Sequence, residues 1–600
     1  SKATMKRCIS LLLTVCLLAT MAAVPALAEA GTYTGVGAGK NGEGSIEVSV
    51  TLDDAGVITD VEVTKNGDDA GISDPAVEGV PAAIVAANSL AVDAVAGATL
   101  TSNGILEAVE AALNAAGVDP SAYKAAPETD EAEAEKTAVE QTTDVLVIGA
   151  GIAGLSSAMS AKENGADVVI IDKMSAPGGT TNLAGGILVC VDSELFADNR
   201  LESDSMEAIK AYWEERMAYG GVDSGYPDQE RLDSVLADTG KTVDWMVSNG
   251  IEFDATPYSA SSRYPMALAN GGGAGLINML VDACEEKGIE LMLNTKGTSL
   301  ITDDTGAVVG AVAETEDSII TFHAKSVILA TGGISQNQEL VEKYSPKLTR
   351  AGLIPTSAVS HTGDGFLMAL EVGAGTFDVF ATPLFSTVVD PELSALTDTS
   401  ALTIYGQLGV NANGDRFGNE AASAGWDTMD HTASDMIQDG NAPFWYIYDS
   451  SNADAVAALE AGVESGVVAK ADTIEGLALD MHVYTDRLVA AYEDYSAAVA
   501  AGKDEAFGKD ASFLLPIEKS PFYAVKVYPT TFGSAGGVTT TDQGRVTTQD
   551  GTVIPGLYAA GEMSNRSFYN ENYVLAASLG LYSTMGRRAG AAAASDALAE

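Results

Sequence analysis

Cysteine is scarce here and poorly placed for metal work. The chain has four, and Cys8 and Cys16 fall within the first 28 residues. Cys190 and Cys284 remain, far apart, with no Cys-x-x-Cys and no Cys-x-x-Cys-His. That spacing gives no support to attached haem, iron–sulfur clusters or cysteine zinc sites. Histidine is equally rare, at four residues, which argues against a histidine-rich metal centre. Positive charge is short as well: 32 Lys and Arg face 84 Asp and Glu, a formal net charge of -52. Such a surface repels phosphate backbones and anionic lipid, so no nucleic acid partner is expected. The acidic surface reads instead as a solvating one. Beyond the first 28 residues no apolar stretch is long enough to span a bilayer.

Glycine is abundant, at 62 residues, and hydrophobic side chains make up 46%. The first suits tight turns and close approach of backbone to a ligand. The second, over 600 residues, provides for more than one domain core.

Lys6 and Arg7 follow Met5, an apolar run extends from about Ile9 to Val24, and Ala26-Leu27-Ala28 precedes Glu29. Together these read as a secretory signal peptide over residues 1–28, with Ser1 to Thr4 extraneous. The rival reading is a retained anchor, since the run approaches the roughly 20 residues that cross a membrane. Cys16 lies too deep in the run for a lipid-anchored cysteine. Export predicts a secreted or cell-surface protein.

Residues 29–117 form the first domain. SIEVSVTL and VITDVEV alternate in polarity around Asp53-Asp54-Ala55-Gly56, which predicts strand, turn, strand. A helix is predicted from Ile105 to a stop at Gly117. Residues 118–140, rich in Ala, Glu and Pro, read as a linker.

The sharpest signal is DVLVIGAGIAGLSSAMSAKENGADVVIIDK. A buried strand, Val145 to Ile148, meets Gly149, Gly151 and Gly154, then a helix. A second strand, Val168 to Ile171, ends at Asp172 and Lys173. Glycines here permit a tight turn, close pyrophosphate approach and helix–strand packing. The helix N-terminus favours anions. Asp172, 23 positions after Gly149, stands where an acid accepts ribose hydroxyls. FAD and NAD both use this fingerprint.

Later segments choose between them. Gly178-Gly179-Thr180-Thr181 with Gly186, Thr331-Gly332-Gly333, the Thr-Gly-Asp-Gly turn at Asp364, and Gly561-Glu562 stand in order. They resemble the FAD-contacting segments of fumarate-reductase-type flavoproteins. The resemblance implies non-covalent FAD, with Ser578 and Leu579 also at the flavin. It implies an α/β fold: a doubly wound, Rossmann-like FAD domain at 141–378 and 521–600, with a capping domain inserted at 379–520. The substrate then sits between cap and flavin. DAVAGATLTS, Asp93 to Ser102, resembles the flavinylation motif of small α+β FMN-binding domains. This implies FMN esterified to Thr99 by a flavin transferase, with Ala96 a departure from the usual Ser or Thr and small Gly97 and Ala98 beside it.

The resemblance stops at the acid–base residues. Fumarate and urocanate reductases of the family use an Arg donor, an acid–Arg relay, and His and Arg grips for carboxylate. Those positions fall on Ser400 and Thr403, on Ala421 to Trp426, on Thr382, on Phe532-Gly533 and on Tyr573. A dicarboxylate substrate is therefore not expected. Tyr573, Arg566 and Tyr569 are the catalytic candidates, because a Tyr near this place polarises a ketone in related ketosteroid dehydrogenases. Arg566 could bind one anionic group. Tyr405 and His431 are weaker candidates. The expected activity is a reductase of a polarised double bond in an enone, aryl alkene or mono-acid, used as a respiratory electron sink. A membrane quinol or dehydrogenase system would feed it. Oxidative dehydrogenation, sulfoxide reduction and simple electron carriage are the alternatives.

Overall fold

The computed structural model describes residues 29–70, 73–95, 98–124, 135–219, 225–260, 262–381, 384–402, 405–437 and 440–599. The leader, Ala96, Gly97, the linker residues 125–134, Thr382, Pro383 and Thr403 lie outside them. The chain divides into two compact units, up to residue 134 and from 135 on.

In the first unit the strands Gly31–Gly39, Gly42–Leu52 and Ile58–Asn66 form an antiparallel meander. Period-two alternation puts Ile46, Val48, Val50 and Leu52 on one face, all buried. The helix Thr99–Ala115 covers that face with Ile105, Ala108, Val109, Ala112 and Leu113, the stripe a 3.6-residue period requires. Burying each large aliphatic side chain contributes about 1.5–3 kcal/mol. The first strand and the helix Asp74–Ala87 are additions to the expected elements. GTYTGVGAG carries no strand signal in the sequence because glycine weakens strands. Here glycine lets strand and helix touch: a Cβ at Gly35 would lie 1.9 Å from the Ala108 carbonyl oxygen. The helix also starts six residues before the predicted Ile105, at Thr99.

The second unit is built on a sheet ordered Arg545–Thr547, Val553–Ala559, Ser318–Leu329, Thr137–Ile148, Val168–Ile171, Glu290–Met292. The last five strands pair in parallel. Such strands are buried on both faces, which is why VVII carries no polar residue. The strand begins at Thr137, not 141, because Thr137 to Gln141 pair with Ser318 to Phe322.

The helix Ile152–Glu163 follows the Thr137–Ile148 strand, and the helix Ser578–Leu598 crosses it. Glycines make this crossing close: a Cβ at Gly590 would lie 2.1 Å from the Ser157 carbonyl oxygen. The last helix begins at Ser578, because Ala576 adopts φ 62 and breaks the helical run before it.

The cap is a second sheet, ordered Ile354–Pro355, Phe522–Thr531, Phe444–Tyr448, Leu408–Val410, with Leu384–Val389 and Val468–Ala471 also on the long strand. Phe522–Thr531 is its centre, so the cap continues past the expected end at 520. No helix among the described residues is long and apolar enough to cross a membrane.

Candidate active site

A cavity of about 350 Å³ opens where the two crossed helices begin. Ile152, Ala153, Ser578 and Leu579 line it. Neither helix has a side-chain cap. Two sets of orphan N–H groups thus face one space, an arrangement that favours a pyrophosphate and the polar edge of a ring system. The Gly149 turn has φ 109, and a Cβ there would lie 2.2 Å from the Ala330 carbonyl oxygen. Gly151, in contrast, meets nothing nearer than the Gly178 carbonyl oxygen at 3.6 Å, so the space before it is open. These features fit FAD.

The remaining cofactor residues surround that space. Asp172 accepts hydrogen bonds from the N–H groups of Ala150 and Met174 at 2.8 and 2.9 Å. Lys173 donates to Thr362 and Asp364, both at 2.8 Å, and ties the second strand to the Thr-Gly-Asp-Gly turn. Burial alone would raise the Asp364 carboxyl, but hydrogen bonds from Lys173 and Thr362 hold it below its ordinary value. Gly178, Gly179, Thr180, Thr181, Thr331, Gly332 and Glu562 also line the cavity. Three expected contacts do not. Gly154 packs on Gly149, Gly186 on Gly272, and Gly333 against Ser534 and Glu562, so they back the wall rather than form it.

His361, just before the Thr-Gly-Asp-Gly turn, has no role that its motif alone would suggest. Its ring lies between Thr180 Oγ1, 3.1 Å from Nε2, and Glu562, 3.2 Å from Nδ1. Only glycine fits opposite it: a Cβ at Gly332 would lie 2.4 Å from Nε2.

The other side of the cavity is aromatic. Phe385, Trp426, Met429, Phe532, Tyr569 and Tyr573 line it, and the Phe385 and Phe532 rings are 3.9 Å apart. No arginine is among the described lining residues. Its cations are Lys173, set against Asp364, and Lys296; the His361 ring faces Glu562. Tyr573 is held by its backbone: Arg216 donates from Nη2 to its carbonyl oxygen at 3.0 Å. Burial pushes the Tyr573 phenol up to about 12.

Arg566 corrects an expectation: it does not line the cavity. Its guanidinium lies under the Tyr226 ring, 3.9 Å from the centroid, and donates to the Tyr569 carbonyl oxygen at 2.5 Å. Burial lowers its pKa, and the pull of Tyr226 and Glu571 offsets only part of that cost. It braces the loop and is not placed to bind an anion in the cavity. Tyr405 bonds the Ser423 carbonyl oxygen at 3.3 Å and is outside the cavity too.

Arg216 escapes a reading of the sequence, since nothing in MEAIKAYWEERMA marks it. It forms a buried ion pair with Asp430 at 2.5 Å, bonds the Asp427 carbonyl oxygen, and meets His431 Nε2 at 3.1 Å. His431 stacks on Tyr219 at 3.6 Å. Burial holds it below its ordinary pKa, which keeps Nε2 an acceptor for the guanidinium. One guanidinium therefore joins Tyr573 to the segment that carries Trp426 and Met429.

In the first unit Thr99 is exposed and is the first residue of its helix. Ala98 before it offers no side-chain cap. Ser102 turns the chain back by accepting from Val95 N–H and donating to the Ala98 carbonyl oxygen. A phosphate esterified to Thr99 would lie against the free N–H groups of that first turn, so this end of the unit fits FMN.

Residues 144–578 match the family described as FAD binding domain, and residues 39–114 match FMN-binding domain. The chain is 30% identical over 588 residues to a urocanate reductase of Eggerthella lenta, covering 94% of this chain and 92% of that one. It is 28% identical over 603 residues to an NADH:acrylate oxidoreductase of Vibrio harveyi, covering 90% of this chain but only 59% of that longer one. The solved open form of a flavocytochrome c3 fumarate reductase is similar with a TM-score of 0.57 and 28% identity, over 76% of this chain and 79% of that one. This chain belongs to the FAD-binding family of fumarate-reductase-like flavoproteins, is an FAD-dependent oxidoreductase, and carries an FMN-binding domain ahead of its FAD domain.

Proposed function

We propose that the protein reduces a polarised carbon–carbon double bond in an aryl alkene, enone or mono-acid, and not in a dicarboxylate. The observation that carries this is the substrate side of the cavity: aromatic rings and a tyrosine, with no arginine among the described lining residues. A dicarboxylate held there would keep one carboxylate without a charged partner, an expensive burial.

FAD held by these residues would supply, when reduced, the hydride for one alkene carbon. The protein supplies the rest. Trp426, Phe385 and Phe532 sandwich a flat substrate and keep water out. The Tyr573 hydroxyl gives its proton to the second carbon, and solvent restores that proton after product leaves. Arg216 fixes the backbone of the donor.

Thr99 would hold FMN as an ester, and that flavin would supply the entry point for electrons. The protein works outside the cytoplasm, fed by a membrane quinol or dehydrogenase system, as a respiratory electron sink. Its charged and apolar leader supports export, and its FMN-binding unit supports that electron entry. Intact mass after co-expression with a flavin transferase tests the attachment. The expected result is one FMN added to the wild-type chain and none to Thr99→Ala. Steady-state assays with reduced viologen test the chemistry, with cinnamate, urocanate, a 3-keto-4-ene steroid and fumarate as acceptors. Turnover of fumarate above the others would overturn this function.

A further inference from the structure

Three hydroxyls bond in a row at the start of the last helix, beside that of Tyr582, which accepts from Asn565 Nδ2 at 2.8 Å. Ser578 donates from Oγ to the Tyr573 hydroxyl oxygen at 3.2 Å. The Tyr569 hydroxyl lies 2.9 Å from the same Oγ. A serine hydroxyl has one proton. With that proton given to Tyr573, Ser578 can only accept from Tyr569. The donors therefore run in one direction: Tyr569, then Ser578, then Tyr573. Since the Tyr573 oxygen is occupied as an acceptor by Ser578, its own proton is free. No described residue accepts it, and the side of Tyr573 that stays open faces the cavity.

Both ends of this run are held. Tyr569 is 1% exposed, and its ring stacks on Trp213 at 5.7 Å and 12°. Trp213 is itself anchored through Nε1 to the Phe568 carbonyl oxygen at 2.9 Å. Tyr573 is fixed at its carbonyl by Arg216. The serine between them could still rotate, and its two hydrogen bonds remove that freedom.

We propose that Ser578 and Tyr569 are positioning residues that turn the Tyr573 hydroxyl proton into the cavity and stabilise the oxygen it leaves. This rests on Tyr573 being the proton donor. As the proton departs, negative charge gathers on the Tyr573 oxygen. The Ser578 hydroxyl already donates there, and such a bond strengthens as its acceptor becomes charged. Tyr569 acts likewise at one remove, by filling the Ser578 acceptor site.

The test uses the full-length, FAD-loaded protein. Tyr573→trifluorotyrosine, whose fluorines bring the phenol into a readable range, gives a ¹⁹F titration that needs no substrate. Ser578→Ala in that background should raise the midpoint by about one unit, and Ser578→Thr should restore it. In turnover with cinnamate, Ser578→Ala should lower kcat about tenfold with KM nearly unchanged. Tyr569→Phe should move both readouts in the same direction by less. An unmoved ¹⁹F midpoint in Ser578→Ala overturns the proposal by itself. A wild-type kcat in Tyr573→Phe instead removes the donor on which it rests. If Ser578→Ala loses FAD or fails to fold, Ser578→Thr and Tyr569→Phe decide: both midpoints matching wild type overturns the proposal, and a rise confined to Tyr569→Phe supports it.

Discussion

The two sides of the cavity are built by different means. The cofactor side is backbone: glycine turns, two helix N-termini, and carboxylates tied to main-chain N–H groups. Backbone geometry demands particular residues at fixed spacing, so this side is written in short contiguous motifs. The substrate side is side chain: Phe385, Trp426, Met429, Phe532 and Tyr573, drawn from the cap and the C-terminal loop. Packing tolerates exchange among residues of similar volume. That side can be rebuilt for a new substrate while the first stays unchanged.

The largest effect should come from breaking the cofactor side. Gly149→Val forces a side chain to within about 2 Å of the Ala330 carbonyl, far inside normal contact. FAD bound per chain should fall from near one to near zero, and turnover should vanish. Tyr573→Phe should leave FAD in place and lower kcat by roughly 10²- to 10⁴-fold, so that absorbance at full strength with little activity separates the two sides.

Arg216→Met should come next. It leaves Asp430 buried without its partner, a loss of about 3–5 kcal/mol, read as a lower denaturant midpoint. The pH profile should then sharpen the picture. A donor must carry its proton, and a phenol pushed up to about 12 carries it well past 10. In rapid pH-jump assays kcat should stay level from pH 9 to about 11. A fall centred near 10, the ordinary tyrosine value, would remove Tyr573 as donor. Trp426→Ala should do least, raising KM for cinnamate about tenfold or less with kcat nearly constant.

The same contrast explains what could be read in the sequence. The Gly149-x-Gly151-x-x-Gly154 strand–turn–helix and the Asp172 position were legible because each residue answers a backbone requirement. Gly154, Gly186 and Gly333 were expected as cofactor contacts and instead back the cavity wall, since the sequence does not say which face meets the cavity. Tyr573, a candidate by its place in the C-terminal loop, does line the cavity. Arg566 was misplaced by the same logic, because proximity in sequence does not say that Tyr226 covers it. Arg216 left no trace: an arginine in an amphipathic helix looks like any other until Asp430 and Tyr573, from two distant segments, close around it. In the first unit, the strand Gly31–Gly39 was not legible, because glycine hides strand character.

Single-turnover reoxidation tests most directly whether Tyr573 protonates a substrate that is not a dicarboxylate. The FAD is reduced anaerobically, excess reductant is removed, and the protein is mixed rapidly with cinnamate or with fumarate while flavin absorbance is followed. The expected result is fast reoxidation by cinnamate in the wild type, at least about a hundredfold slower in Tyr573→Phe, and no acceleration by fumarate in either. Fast reoxidation by fumarate that survives Tyr573→Phe would contradict both the proposed donor and the proposed substrate class.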